Sequence, residues 1–148
     1  MAFTSHMAAA LAEARAAGAR GETPVGAVVT REGRVIAADG NRVRALADPT
    51  AHAEILALRS AARRLGSERL TDCDLWVTLE PCPMCAGAIS LARIARLYYA
   101  APDPKTGGVD HGPRVFAHPT CHHAPEVYAG IAETEAAALL RAFFRARR

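Results

Sequence analysis

An α/β domain is the fold class this sequence predicts, and three observations predict it. Two short apolar runs around Gly33 read as a hairpin, Leu75 to Ala100 reads as strand, helix and strand, and three other stretches keep helical spacing. At 148 residues the chain suits one hydrophobic core rather than two, so a single domain over 1–148 is expected.

The first helix is expected from Met7 to about Ala17, where Met7, Ala10, Leu11 and Ala14 line one face. Thr4 or Ser5 is placed to cap it, and Gly18 or Gly21 to end it. Val25 to Thr30 and Val35 to Ala38 are apolar runs joined by Arg31-Glu32-Gly33, a link of hairpin length, so an antiparallel pair is expected. Asp39 to Pro49 is polar and weakly periodic and reads as a functional loop, with Asn41 just past the second strand.

Asp48-Pro49-Thr50 offers a cap and a helix-opening proline, and Ile55, Leu58, Ala62 and Leu65 then keep helical spacing as far as Gly66. His52 and Glu54 fall in the first turns of that helix. Leu75 to Leu79 is a buried strand stopped by Pro81, Cys82 to Leu91 a helix, and Leu97 to Ala100 a strand; such a crossover places its two strands in parallel. Ala101 to Ala124 is rich in Pro and Gly, and a connection of that length in a small domain suggests function. Glu126 to Ala129 reads as a last strand and Thr134 to Arg147 as a closing helix.

Composition narrows the function classes. The chain is 51% apolar and 22% charged, which suits a folded protein rather than a disordered one. No apolar run nears the roughly 20 residues of a membrane helix, and the first residues lack the pattern of a secretory leader, so a cytoplasmic location is expected. The formal charge of +3 does not by itself announce a nucleic-acid binder. Arg141, Arg145, Arg147 and Arg148 gather charge at the end of the last helix, either to meet an anion or to complement the helix dipole.

Four cysteines in a chain of cytosolic character point to metal or catalysis before disulfides. Cys82 and Cys85 lie where a strand passes into a helix. There the helix dipole and free backbone N–H groups favour thiolate, the form that binds metal, and a spacing of three puts both sulfurs on one face. A redox C-x-x-C is expected near the start of a thioredoxin-like pattern, and this pair lies past mid-chain, so a third ligand is sought. His52 is the best candidate, because it too opens a helix and Glu54 follows two residues later.

Residues two apart on a regular helix point about 200° apart, so His52 and Glu54 can serve one point only if His52 sits in an irregular first turn. Three protein ligands would leave a tetrahedral position for water, the arrangement of a catalytic rather than a structural zinc. A carboxylate that does not bind the metal could then move protons. The order His-x-Glu followed by Pro-Cys-x-x-Cys is also the general signature of zinc deaminases that act on bases, so the assignment matches a known pattern.

With those residues in view, the chain resembles the bacterial tRNA-specific adenosine deaminase family of the cytidine deaminase-like superfamily. The resemblance runs from about Leu11 to Arg148 and is carried by Glu22 to Val28, Asn41-Arg42, Asp48 to Ile55, Leu79 to Ala88, and Phe143 to Arg148. It implies a three-layer α/β/α fold around a five-stranded mixed sheet, one zinc ion per chain, a homodimer, and a tRNA anticodon stem-loop as partner. The implied reaction converts the wobble adenosine to inosine by hydrolytic attack at C6, with Glu54 carrying the protons.

The same resemblance places Pro24, Val25, Asn41 and Ala53 at the flipped base, and Asp103, Lys105, Arg145 and Arg147 at the RNA. Asn41 has a rival reading as a turn former. Between Val109 and His123 the chain departs from the best-known members of the family, where Cys121, His122 and His123 could form another metal site. Two alternatives remain: a zinc deaminase of a free base or nucleoside (guanine, cytosine or adenosine), and a non-catalytic zinc-stabilised RNA-binding or partner subunit, for which Glu54 would have no use.

Overall fold

The chain begins with a helix whose small face lets it lie almost on the backbone of the sheet. The structure, a computed structural model, describes residues 3–147. Its elements are α1 (Met7–Ala19), β1 (Gly26–Arg31), β2 (Arg34–Gly40), α2 (Ala53–Leu65), β3 (Cys73–Leu79), α3 (Pro83–Ala92), β4 (Arg96–Ala101), a 3-10 turn at Val115–Ala117, β5 (Glu126–Ala129) and α4 (Glu133–Ala146). The α1 contact explains Gly26: a Cβ there would lie 2.0 Å from the Ala10 carbonyl oxygen. Only glycine permits that approach, and α1 meets it with buried Ala10, Ala14 and Ala17.

The five strands form one mixed sheet in the order β2-β1-β3-β4-β5. β1 is antiparallel to both β2 and β3, while β3, β4 and β5 are parallel. Side chains alternate between two apolar layers, as a strand period of two requires. Val29, Leu75, Val77, Leu97 and Tyr99 pack with α2 and α3. Val28, Trp76, Tyr98 and Ala100 pack with α1 and Ala136 of α4. Covering both faces with helices is why these strands read as nearly continuous apolar runs.

The topology also explains why distant residues meet. Gly26 at the start of β1 pairs with Gly40 at the end of β2. Ala27 pairs with Val77, and Leu79 at the end of β3 pairs with Ala101 at the end of β4. The segments holding Val25, Asn41, Cys82 and Asp103 therefore leave the sheet at one edge, the end where parallel α/β sheets place their ligands.

The sequence expectations hold for the mixed five-stranded sheet, the hairpin, the parallel crossover and the four helices. One boundary moves for a chemical reason: α2 opens at Ala53, not at Pro49. The Asp48 side chain accepts hydrogen bonds from the Thr50 N–H at 2.8 Å and its hydroxyl at 2.7 Å. That local turn uses the supposed cap, and the chain runs on extended to His52. At α1, Ser5 Oγ accepts the Met7 N–H at 3.2 Å. Arg148, grouped above with the closing basic residues, lies outside the described residues. No helix among the described residues is long and apolar enough to cross a membrane.

Candidate active site

Two helix N-termini meet at the edge of the sheet, and each is opened by a residue with metal-binding chemistry. His52 precedes α2 with an extended backbone (φ −71°, ψ 152°), and Cys82 precedes α3 in the same way (φ −70°, ψ 171°). His52 therefore stands outside the helical repeat, as the His-x-Glu spacing demands, while Glu54 is in the first turn of α2. Cys85 is in the first turn of α3, behind Pro83, a residue suited to a first helical turn.

His52 Nδ1 lies 3.6 Å from Cys82 Sγ and 3.6 Å from Cys85 Sγ. All three ligand atoms lie within 4.8 Å of one another, and among the described residues no other group of three converges so. These distances test the fit of a metal. Tetrahedral zinc with Zn–N of about 2.0 Å and Zn–S of about 2.3 Å spaces its nitrogen and sulfur ligands by roughly 3.6 Å. One imidazole and two cysteines at that spacing suit zinc better than hard cations, which prefer oxygen ligands.

Electrostatics couple the three groups, and the charge settles on one thiol. The hydrogen bond with Cys85 and the nearby His52 ring hold the Cys82 thiol down to about 4, against the opposing effect of burial. The shared hydrogen bond and burial push Cys85 in the other direction. His52 is raised, chiefly by its hydrogen bond with Cys82. Glu54 is 4% exposed, and burial pushes its carboxyl up to about 7, a value suited to taking and giving protons near neutrality.

Beside these groups is a cavity of about 430 Å³, within the roughly 300–1,000 Å³ of small-molecule sites. His52, Glu54 and Cys82 line it, with Val25, Val43, Leu79 and Phe143 as apolar wall and Asn41, Asp103 and Thr106 as polar wall. Arg44 and Arg147 bring positive charge; the Arg147 guanidinium lies 3.4 Å over the Phe143 ring. Asn41 Oδ1 accepts the Ala53 N–H at 2.9 Å.

The other expected substrate contacts divide. Ala53 is fully buried, and Pro24 precedes Val25 without lining the cavity. The Lys105 N–H is donated to Asp103 Oδ1, and Lys105 is exposed outside the cavity. Arg145 lies on a separate exposed face with Leu140, Arg141 and Phe144. Cys121 and His123 are occupied elsewhere. Cys121 Sγ is 3.4 Å from Ser90 Oγ, Ser90 donates to the His123 carbonyl at 2.6 Å, and His123 Nε2 is 2.6 Å from the Ile94 carbonyl oxygen.

Two buried glutamates, present in the motifs quoted above, have roles that the sequence reading does not assign. Glu22 accepts the N–H groups of Arg44 at 3.1 Å and Ala45 at 2.9 Å. Glu80 accepts those of Asp103, Val109, Asp110 and His111 at 2.9 to 3.2 Å, and His111 Nδ1 lies 2.7 Å away. Burial pushes both carboxyls up, but the hydrogen bonds outweigh it and hold them below the usual range; at Glu22 the Arg20 and Arg44 charges assist. The available signal is position: Glu80 continues the apolar run of β3 and precedes Pro81, where a solvated charge has no natural place.

Comparison with known proteins agrees with this geometry. The family model for the cytidine and deoxycytidylate deaminase zinc-binding region matches residues 3–101. A tRNA-specific adenosine deaminase of Agrobacterium fabrum is 61% identical over 145 residues, covering 98% of this chain and 95% of that protein. A solved structure from work on A-to-I editing by tRNA:A34 deaminases at the wobble position of transfer RNA superposes with a TM-score of 0.90 at 62% identity, covering 90% of this chain and 97% of that one. A guanine deaminase from Nitrosomonas europaea gives a TM-score of 0.77 at 27% identity, covering 97% and 86%. The cavity edged by His52, Glu54 and Cys82 thus sits in a chain that belongs to the bacterial tRNA-specific adenosine deaminase family, a branch of the zinc-binding deaminases.

Proposed function

We propose that this chain is a hydrolase that converts adenosine to inosine at the wobble position of a tRNA anticodon, with ammonia as the other product. One observation carries the reading: three ligand atoms converge at the edge of a cavity that two of them, His52 and Cys82, line together with the separate buried carboxylate of Glu54, in a chain that aligns with tRNA-specific adenosine deaminases along nearly its whole length. His52, Cys82 and Cys85 would hold one zinc ion per chain. Bound there, zinc supplies Lewis acidity that lets water ionise near neutral pH.

Glu54 takes a proton from the attacking water and delivers protons to the purine ring and the departing amino group. It sits in the first turn of α2, two residues past a ligand that stands outside the helix, and would serve as proton carrier rather than as a fourth ligand. Asn41 orients the base through its side-chain NH2, because its oxygen is already engaged by the Ala53 N–H. Val25, backed by Pro24, gives the ring an apolar wall, and small Ala53 leaves it room. Asp103 and Lys105 on one loop, Arg145 on α4 and Arg147 just past its end contact the RNA, whose backbone favours a basic rim. The working unit is a single-domain subunit of a homodimer, acting in the cytoplasm on tRNA.

The test is turnover of an anticodon stem-loop carrying adenosine at the wobble position, measured beside free adenosine, cytosine and guanine. Deamination of the stem-loop alone is expected, with about one zinc per chain by elemental mass spectrometry. No turnover of the RNA overturns the reading, and turnover of guanine instead moves the chain to the free-base alternative. Folded, zinc-loaded protein that binds the stem-loop without deaminating anything identifies a binding subunit.

A further inference from the structure

We propose that Glu80 is a positioning residue for substrate: its buried carboxylate fixes the 103–111 loop as the wall of the cavity that meets the RNA. The proposal rests on the reading of the site as an RNA deaminase. A buried carboxylate needs several donors to offset its desolvation, and Glu80 finds all of them on this one loop.

The two oxygens divide the work. Oε2 accepts the consecutive N–H groups of Val109, Asp110 and His111 at 3.2, 2.9 and 3.1 Å. Oε1 accepts the Asp103 N–H at 3.0 Å and faces the His111 ring at 2.7 Å. One side chain thus clamps both ends of the loop, and Asp103 at one end and Thr106 within it line the cavity. Further contacts lock the arrangement. Gly108 donates to the Pro81 carbonyl at 2.8 Å, and the buried Tyr99 hydroxyl donates to Asp110.

The approach is too close for side chains on the loop. A Cβ on Gly107 would lie 2.6 Å from the Glu80 carboxyl carbon, and one on Gly108 would lie 2.6 Å from the Pro83 nitrogen. Loop and Cys82 turn therefore pack backbone to backbone, which carries the position of the metal-binding turn to the RNA side of the cavity.

The two oxygens also set what a conservative change does. In Glu80→Gln one oxygen becomes an NH2 donor, so only one end of the loop keeps its acceptor. The side with three N–H groups retains the oxygen, and the Asp103 N–H is left facing a donor. Gly107→Ala should shift the same loop while leaving the carboxylate intact.

The experiment compares wild type, E80Q and G107A for zinc content, KM and kcat on the wobble-adenosine stem-loop, and hydrogen exchange of the 103–111 amides. In both variants KM is expected to rise about tenfold with kcat within about threefold, while zinc stays at the wild-type level. The loop amides should exchange about tenfold faster. A purely structural role would lower thermal stability without moving KM.

KM within twofold of wild type in the variants overturns the proposal, as does loss of zinc from E80Q with unchanged loop exchange. If E80Q does not fold, G107A carries the same criteria. If wild type fails to deaminate the stem-loop, the RNA reading falls, and exchange alone decides whether Glu80 holds the loop: unchanged exchange overturns it.

Discussion

The side-chain oxygen of Asn41 accepts the backbone N–H of Ala53 at 2.9 Å, which ties the residue after β2 to the residue after His52. Asn41 therefore offers two separable groups, an acceptor that seats the start of α2 and an NH2 that the proposed function assigns to the base. Asn41→Asp keeps the acceptor and removes the donor, whereas Asn41→Ala removes both. N41D is expected to keep wild-type stability, because a carboxylate also suits a helix N-terminus, while kcat/KM on RNA falls about a hundredfold. N41A should lose the same activity and about 1 kcal/mol of stability. Denaturant titrations beside kinetics check this; N41D with wild-type kinetics would remove Asn41 from base recognition.

Glu54 is buried beside the three ligand atoms, an expensive place for a carboxylate without a catalytic task. Glu54→Gln keeps its shape and removes its proton chemistry. Turnover should fall by about 10²–10⁴-fold or more, since the proposed function assigns the residue several proton transfers. Zinc content should not change, and the melting temperature should rise, because a neutral amide is cheaper to bury. A variant that loses zinc with its activity would make Glu54 part of the metal site instead.

The His52, Cys82 and Cys85 group was legible in the sequence because its members lie in local patterns, two residues that open helices and one in the first turn of the second, and such patterns survive without tertiary knowledge. His52 shows the limit of that reading. Asp48-Pro49-Thr50 carries the same residue types as a helix cap, and the Asp48 to Thr50 hydrogen bonds that divert it into a turn depend on local geometry. The hairpin and the parallel crossover were legible in the apolar runs and their links, whereas the five-stranded mixed sheet was implied only by the family resemblance and its strand order came from the structure. Glu22 and Glu80 stayed hidden for a different reason: their partners are backbone N–H groups at 44–45 and 103–111, and a backbone amide has no letter in the sequence. The reach of Arg147 to the cavity, with Arg145 turned to another face, likewise depends on where α4 docks.

The paired N–H groups on Glu22 give a pH dependence with a definite sign. Its carboxyl is held below its ordinary value of 4.5 in the folded chain. The stabilisation is thus fully present above about 4.5, the value expected when unfolded, and is lost as pH falls from there through the lower folded value. Glu22→Gln should lower stability at pH 7 and raise exchange of the Arg44 and Ala45 amides, with the gap to wild type narrowing in acid. Unfolding measured at pH 7, 5 and 4 decides it; a constant gap would mean that packing, not charge, is what Glu22 supplies.

The outer side of α2 and α3 presents an apolar groove of about 500 Å³ lined by Ile55, Leu58, Ala62, Ala88 and Leu91, and Leu91 is 74% exposed. An apolar face of this kind on a small chain is commonly covered by a partner, and the homodimer proposed above supplies one of matching chemistry. If this face joins the two copies, Leu91→Asp would bury an unpaired charge at the contact and weaken association by about a hundredfold or more. Light scattering should give wild type twice the 15.7 kDa of one chain and the variant a single copy, with helix content and zinc unchanged. A wild-type monomer removes the dimer from the proposed function, whereas a dimer indifferent to Leu91→Asp places its interface on another face.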